Sequence, residues 1–316
     1  MENIVSIIVT GATSMIGSTI VDEALAQSKN VTAIVRRNAR QTDNLLKLKN
    51  TQNLQIIECD MNDYKTLNFD AQYDAFFHLA WQSTNFTSRD DVYAQIDNVT
   101  CTVDAIHAAK RAGCRVFVNA GSQAEYGFTS EKLRGDMPCN PESGYGIAKF
   151  AAGRMVRLTA ARLGIRYCHT RILSTYGKGM DDGTLIVYLI RNLLAGEKPS
   201  LTKCEQLWDF LYVQDTARAM LAVAEKGIDG KTYPIGSGIA KPLREYVETV
   251  RDIMDSSVEL GFGEKDYYPH QPMFLCADID ELREDTGFEP SVVFEDGIRM
   301  TIDWVKASLE EISVSI

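Results

Sequence analysis

Over the first half of the chain, hydrophobic and polar positions alternate between two periods. Ile4–Val9 is apolar apart from Ser6 and stops at Thr10-Gly11, the pattern of a strand covered on both faces. Met15, Ile16, Ile20, Ala24 and Leu25 then recur at helical spacing. Val31–Val35, Leu54–Glu58 and Tyr73–Leu79 read as further strands, Val92–Ala112 as a helix and Val116–Ala120 as a fifth strand. Tyr145–Leu163 predicts another long helix and Ile165–Ile172 a sixth strand. Strands alternating with helices predict parallel pairing in a doubly wound α/β sheet. Past Gly177 the pattern loosens. Leu185–Ala195, Val213–Glu225, Leu243–Met254 and Glu295–Glu310 read as helices, with a strand at Leu207–Tyr212. No repeat or flexible linker intervenes. Residues 1–176 are therefore expected to form the larger unit, and residues 177–316 a smaller mixed α/β lid that shares strands with it.

Composition narrows the function classes. The 316 residues are 45% hydrophobic and 24% charged, the balance of a globular protein with a full-sized core. Against 33 Lys+Arg stand 43 Asp+Glu, a net charge of −10. No long basic run offsets it, so nucleic acid is not an expected partner. No apolar run approaches a membrane span. The start of the chain, with Glu2 and a short apolar stretch, does not read as a secretory signal. Seven cysteines without a Cys-x-x-Cys read as reduced thiols in a cytoplasmic protein, and four scattered histidines offer no metal-site spacing.

Candidate chemistry begins where the first strand turns into the first helix, at Thr10-Gly-Ala-Thr-Ser-Met-Ile-Gly17. Small residues there let the backbone approach a pyrophosphate, and the helix N-terminus favours its charge. Ser14 stands where glycine is expected; its hydroxyl can cap the helix or donate to a phosphate. A dinucleotide site usually carries an acid after the second strand, for the ribose hydroxyls. Here Val35 is followed by Arg36 and Arg37. Guanidinium groups suit a 2′-phosphate, which predicts NADP(H) as cofactor, unless both side chains are simply solvated. Asp60-Met61, after the third strand, suits adenine contacts.

Of thirteen tyrosines only Tyr145 has a lysine four residues on, Lys149, on the same face of a helix. A nearby ammonium favours phenolate, fitting Tyr145 to exchange a proton with a carbonyl or alcohol. Ser122 follows the fifth strand, at the carboxyl edge of the sheet where ligands bind.

With these segments in view, the chain resembles the extended short-chain dehydrogenase/reductases, the NAD(P)-dependent nucleotide-sugar epimerase/dehydratase family with its Rossmann fold. Thr10–Gly17, Asp74-Ala-Phe-Phe-His-Leu-Ala80, Asn98-Val99 and Gly121-Ser-Gln-Ala-Glu-Tyr-Gly127 carry the likeness. So do Tyr145-Gly-Ile-Ala-Lys149, Arg171-Ile-Leu-Ser-Thr-Tyr-Gly177 and Trp208-Asp-Phe-Leu-Tyr-Val-Gln-Asp215. The resemblance implies catalysis by Ser122, Tyr145 and Lys149. It implies a cofactor lying across Gly11, Thr13, Ser14, Met15, Ile16 and Gly17, then Arg36, Arg37, Asp60 and Met61. Leu79, Ala80, Trp81, Asn98, Ala120 and Ile172 complete that groove, beside Tyr145 and Lys149. Gln123, Ser174, Lys178 and Trp208 are the expected substrate contacts.

Departures from the family pattern refine the expectation. The 4,6-dehydratases place an Asp-Glu pair after the catalytic Ser/Thr, and this chain has Gln123 and Ala124, neither of which moves a proton. Glu125 comes one residue later, as a catalytic or a structural group. Ser174 replaces a common asparagine and Trp208 a common arginine. Tyr268-Pro-His-Gln271 stands where many members carry a phosphate-gripping arginine. Lys178, Lys198, Lys203 or Arg244 either compensates or is an ordinary surface residue. His78 and His169 read as packing residues.

The leading expectation is NADPH-dependent reduction of a keto sugar, most closely a nucleotide-linked 4-keto-6-deoxyhexose, with likeness to reductases of the CDP-abequose synthase type. An NAD-dependent nucleotide-sugar 4-epimerase is the alternative, and a non-catalytic NADP(H) sensor a distant third. The resemblance also implies a homodimer through the helices near 92–112 and 145–163, with Ile106 and Val156 serving either the interface or the core.

Overall fold

Strand β1 (Ser6–Thr10) is buried along its last four residues, as a strand must be when helices cover both faces of a sheet. In the computed structural model, which describes residues 3–39, 42–48, 50–85, 87–268 and 271–314, it lies between β2 (Asn30–Val35) and β4 (Ala75–His78). Past β2 comes β3 (Leu54–Glu58); past β4 come β5 (Val116–Ser122) and β6 (Arg166–Ile172). The seventh strand, β11 (Thr232–Ile235), pairs with β6 from Thr232↔His169 to Ile235↔Ile172. Every ladder is parallel, in the order β11-β6-β5-β4-β1-β2-β3. This is a Rossmann-type doubly wound sheet. Its strand order reverses between β1 and β4, which opens a crevice at their carboxyl ends.

Alternate side chains of each strand enter different cores. Ile7, Val9, Phe77 and Val118 pack with helices α1 (Met15–Ala26) and α6 (Val213–Lys226). Ile8, Phe76 and Phe117 pack on the other face with α3 (Val92–Arg111) and α4 (Gly144–Leu163). Ile106 and Val156 belong to this second core, both wholly buried, so neither serves a subunit interface. The apolar side chains that α3 and α4 leave exposed are instead Val92, Tyr93, Ile96, Ile147, Met155 and Leu158. Short α2 (Thr42–Leu46) follows β2.

A third core lies under the second half of the chain, where α5 (Leu185–Ala195), α7 (Leu243–Ile253) and α9 (Phe294–Val314) surround Tyr176, Tyr212 and Tyr246. Short strands knit this lid: β7 (Ser174–Tyr176) with β10 (Phe210–Tyr212), β8 (Ser200–Leu201) with β13 (Gly261–Phe262), and β9 (Leu207–Trp208) with β12 (Lys241–Pro242). Helix α8 (Asp280–Thr286) packs near β11. The continuous strand predicted over Leu207–Tyr212 is therefore two strands. The break falls at Asp209, whose wholly buried carboxylate accepts from the amides of Ser237, Gly238 and Ala277 at 2.8, 3.1 and 3.0 Å. A carboxylate there must have its oxygens satisfied. Strand β11 escaped the sequence pattern because it carries Pro234, which a sheet tolerates at an edge. Among the described residues no helix is long and apolar enough to cross a membrane.

Candidate active site

The glycine turn sits at the crevice between β1 and β4. Gly11 has φ +66°, and a Cβ on it would lie 2.8 Å from the Ala80 nitrogen. A Cβ on Gly17 would collide with the Gly11 carbonyl oxygen. Only glycine fits either position. The Thr10 hydroxyl holds the facing segment by accepting from the amides of Leu79 and Ala80 at 3.2 and 3.3 Å. Of the two roles open to Ser14, capping is the one seen: its Oγ accepts from Gly17 N at 3.1 Å and donates to the Gly11 carbonyl at 2.7 Å. Thr13 is half-buried beside this turn, and Met15 and Ile16 lean toward the lid core. A pyrophosphate fits a cradle this bare, at the N-terminus of α1.

At the end of β2 the two arginines part company. Arg37 donates to Asp60 at 2.9 Å and to Asp63 at 2.8 Å, and its amide binds Asp60 as well. Hydrogen bonding to Asp63 raises its pKa, and the charges of both carboxylates add to the effect. Arg36 is exposed; its carbonyl accepts from Ala39 N at 3.2 Å, and its side chain has no hydrogen-bond or ion-pair partner among the described residues. Met61 is buried under α3. Asn98 spends its amide on the backbone of Gln82, accepting at 2.9 Å and donating at 3.0 Å, and so fixes the loop that follows β4.

Ser122 ends β5 and caps the Gln123–Glu125 turn, its Oγ accepting from Ala124 N at 3.2 Å. Tyr145 stands in the first turn of α4, which Ser143 caps. Burial pushes the Tyr145 phenol up, while the Ser122 hydroxyl and the Arg89 guanidinium act against the rise. The Arg89 guanidinium carbon lies 4.7 Å from the centre of the Tyr145 ring. Lys149 shares that face of α4, but its Nζ donates to the Ala120 carbonyl at 2.7 Å and lies 3.8 Å from the centre of the Trp81 ring. It is 5.8 Å from the Tyr145 ring centre. Burial pushes Lys149 down to about 7, against the opposing charge of Glu125. Trp81 is pinned by its indole N–H to Gln95 Oε1 at 3.0 Å. Ile172 faces Ser122 across the β5–β6 ladder.

Glu125 lies beneath this group, wholly buried. Its carboxylate accepts from Ser122 N at 2.8 Å, His169 Nε2 at 2.9 Å and Arg171 Nε at 2.9 Å. All three partners come from the protein itself, which gives Glu125 a place in the packing beneath Ser122. His169 packs against it, and His78 is buried between the Thr10 and Thr102 hydroxyls, its pKa pushed down to about 3 by burial.

Ser122 and Tyr145 open onto a cleft of about 620 Å³ between the sheet and the lid. Ser174 and Trp208 line it, the indole N–H donating to Ser174 Oγ at 2.8 Å. Gln123 and Lys178 do not line it, and neither do Lys198, Lys203 or Arg244. Lys178 is exposed; Lys198 pairs with Glu259 and Glu264, and Arg244 stacks on Phe262. Of the Tyr268–Gln271 segment, Gln271 lines the cleft, and Pro269 and His270 lie outside the described residues. Among the lining residues that sequence reasoning missed, two carry unpartnered polar atoms. Arg89 is the one formally charged side chain of the lining among the described residues, and its buried Nε has no partner. Gln206 is 5% exposed, and its Oε1 is likewise unpartnered. Neither stands in a motif or at a telling spacing.

The model of the NAD dependent epimerase/dehydratase family matches residues 7–236. The chain belongs to that family. It is thus an enzyme of the extended short-chain dehydrogenase/reductase type, among the nucleotide-sugar epimerases and dehydratases. It is 26% identical to the dTDP-glucose 4,6-dehydratase of Shigella flexneri, over 96% of this chain and 93% of that one. A UDP-N-acetylglucosamine 4-epimerase from Methanobrevibacter ruminantium superposes with a TM-score of 0.86 at 26% identity, covering 98% of this chain and all of that one. MoeE5, solved with UDP-glucose and NAD, gives a TM-score of 0.79 at 26% identity over 96% and 99% of the two chains. In this member of the family the turn after Ser122 offers the cleft no carboxylate, since Glu125 faces His169 and Arg171.

Proposed function

We propose that this family member is an NADPH-dependent reductase of a keto sugar, most specifically a nucleotide-linked 4-keto-6-deoxyhexose. The observation that carries the reading is the end of β2, where Arg36 replaces the usual ribose-binding acid and its guanidinium is left without a partner among the described residues. The missing carboxylates at Gln123 and Ala124 support reduction over elimination of water.

In this reading Gly11 to Gly17 hold the pyrophosphate, Arg36 the 2′-phosphate, and Asp60 and Met61 border the adenine. When bound, the cofactor supplies the hydride for the keto carbon. Tyr145 gives its proton to the carbonyl oxygen, and Ser122 donates a hydrogen bond to that oxygen as charge develops. Lys149, fixed by Ala120 O, stands ready for the ribose. Trp81 packs edge-on against the Tyr145 ring and carries the Lys149 ammonium over its own face. Residues 1–176 thus bind cofactor and residues 177–316 shape the substrate cleft, with β11 returning to the first sheet.

The protein is expected to bind NADPH more than about tenfold tighter than NADH, and Arg36→Ala to abolish the difference, as read by fluorescence titration. NAD that copurifies tightly bound would instead favour the second reading, a nucleotide-sugar 4-epimerase using the same Ser122, Tyr145 and Lys149. The likeness to the Methanobrevibacter epimerase and the pairing of Arg37 with Asp60 and Asp63 speak for it.

We also propose a homodimer through the exposed apolar faces of α3 and α4. Tyr93 and Leu158 are 83% and 66% exposed, an unusual cost for large side chains facing water. Sedimentation should show twice the chain mass for the parent and a monomer for Leu158→Glu combined with Met155→Glu. The seven free thiols, six of them buried, support a reducing, cytoplasmic location.

A further inference from the structure

We infer that Arg89 holds the diphosphate of the substrate, an assignment that rests on the nucleotide-sugar reading above. The chain carries a net charge of −10, so an anionic substrate needs a local cation to enter the cleft. Arg89 is the one formally charged side chain that lines it among the described residues. The lysines and arginine that the sequence offered for this work stand elsewhere. Lys198 is bound to Glu259 and Glu264, Arg244 lies 3.7 Å above the Phe262 ring, and Lys178 and Lys203 are exposed outside the lining.

Arg89 is also incomplete as it stands. Its Nε is buried without a partner, and no hydrogen bond or ion pair to the guanidinium is found among the described residues. Burying such a donor unsatisfied is costly, and a ligand that accepts from it removes the cost. The ring of Tyr145 supports one face of the guanidinium at 4.7 Å. A planar fork held that way is suited to bidentate donation to phosphoryl oxygens.

The loop carrying it is fixed at both ends. Gln82 is clamped by Asn98 and Ser83 O by Gln95, while Asp90 Oδ1 accepts from Gly144 N at 2.6 Å and Asp91 caps α3. The donor is therefore preorganised against α4, the helix that carries Tyr145. Gln206, from the lid, presents a second unpartnered polar group to the same cleft and suits a neutral hydroxyl of the same ligand.

The test titrates the NADPH-loaded protein by calorimetry with UDP, CDP, dTDP and GDP, each beside its own nucleoside. The parent should bind at least one diphosphate well above its nucleoside. Arg89→Gln should weaken that diphosphate by about tenfold to a hundredfold and leave the nucleoside unchanged, with Arg89→Lys recovering part of the loss. Unchanged NADPH affinity and melting temperature show that the variants fold. Diphosphate binding that survives Arg89→Gln within about twofold overturns the assignment alone, since it lies inside the error of a single contact. A parent that treats every diphosphate like its nucleoside overturns both the assignment and the nucleotide-sugar reading.

Discussion

Tyr145→Phe is expected to lower kcat by about a hundredfold to ten-thousandfold while leaving NADPH affinity unchanged, because it deletes one phenolic proton donor and nothing else. The ring keeps its edge-on contact with Trp81, at 6.1 Å between centres, and its place beneath Arg89. Stopped-flow oxidation of NADPH by a 4-keto-6-deoxy sugar nucleotide reads the effect directly. The pH dependence has a definite sign. Reduction needs the protonated phenol, so kcat/KM should fall on the alkaline side as Tyr145 ionises. Burial raises that ionisation, and Ser122 and Arg89 oppose the rise. Removing the charge with Arg89→Gln should therefore move the alkaline limb upward. A Tyr145→Phe enzyme that keeps parental turnover would exclude the phenol as proton donor.

What the sequence shows and hides follows from the range of the interactions involved. Strands β1 to β6 and the Gly11–Gly17 turn are local patterns, written in consecutive side chains and in residues too small to clash. The Tyr145–Lys149 spacing is local too, and it places both side chains on one face of α4. It says nothing of where Lys149 then points. Its ammonium goes to a carbonyl on β5, twenty-nine residues back, and lies against Trp81. Arg37 is likewise taken by Asp60 and Asp63 from the far side of β3. That pairing divides the duties of two adjacent arginines in a way composition cannot. Asp209 breaks a run that reads as one strand because its partners, Ser237, Gly238 and Ala277, come from segments distant in sequence. Arg89 and Gln206 are conspicuous only through what surrounds them. An unsatisfied polar atom is a property of packing, and no period or motif announces it.

Glu125→Leu should cost about 3–5 kcal/mol of stability, the range for breaking a buried ion pair from one side. The loss comes from the partners left behind. Arg171, with 6% of its side chain exposed, would keep a buried guanidinium facing no carboxylate, and Ser122 N would lose its acceptor. Burial alone would raise Glu125, yet the His169 ring, the Arg171 guanidinium and the Ser122 amide outweigh it and hold the carboxyl at about 2. A carboxyl lowered in the folded state contributes stability above its unfolded pKa, near 4.5, and loses it as pH falls toward 2. Urea unfolding should therefore show a steep acid limb in the parent between those two values, and a flatter one in Glu125→Gln, which keeps the shape and drops the charge. The same variant separates support from chemistry. Glu125 does not line the cleft, so Glu125→Gln should retain an alkaline limb of kcat/KM, moved downward because the Glu125 charge helps to raise Tyr145, with kcat reduced only as far as Ser122 is loosened. A stable Glu125→Gln enzyme without any turnover would return the carboxylate to the reaction itself.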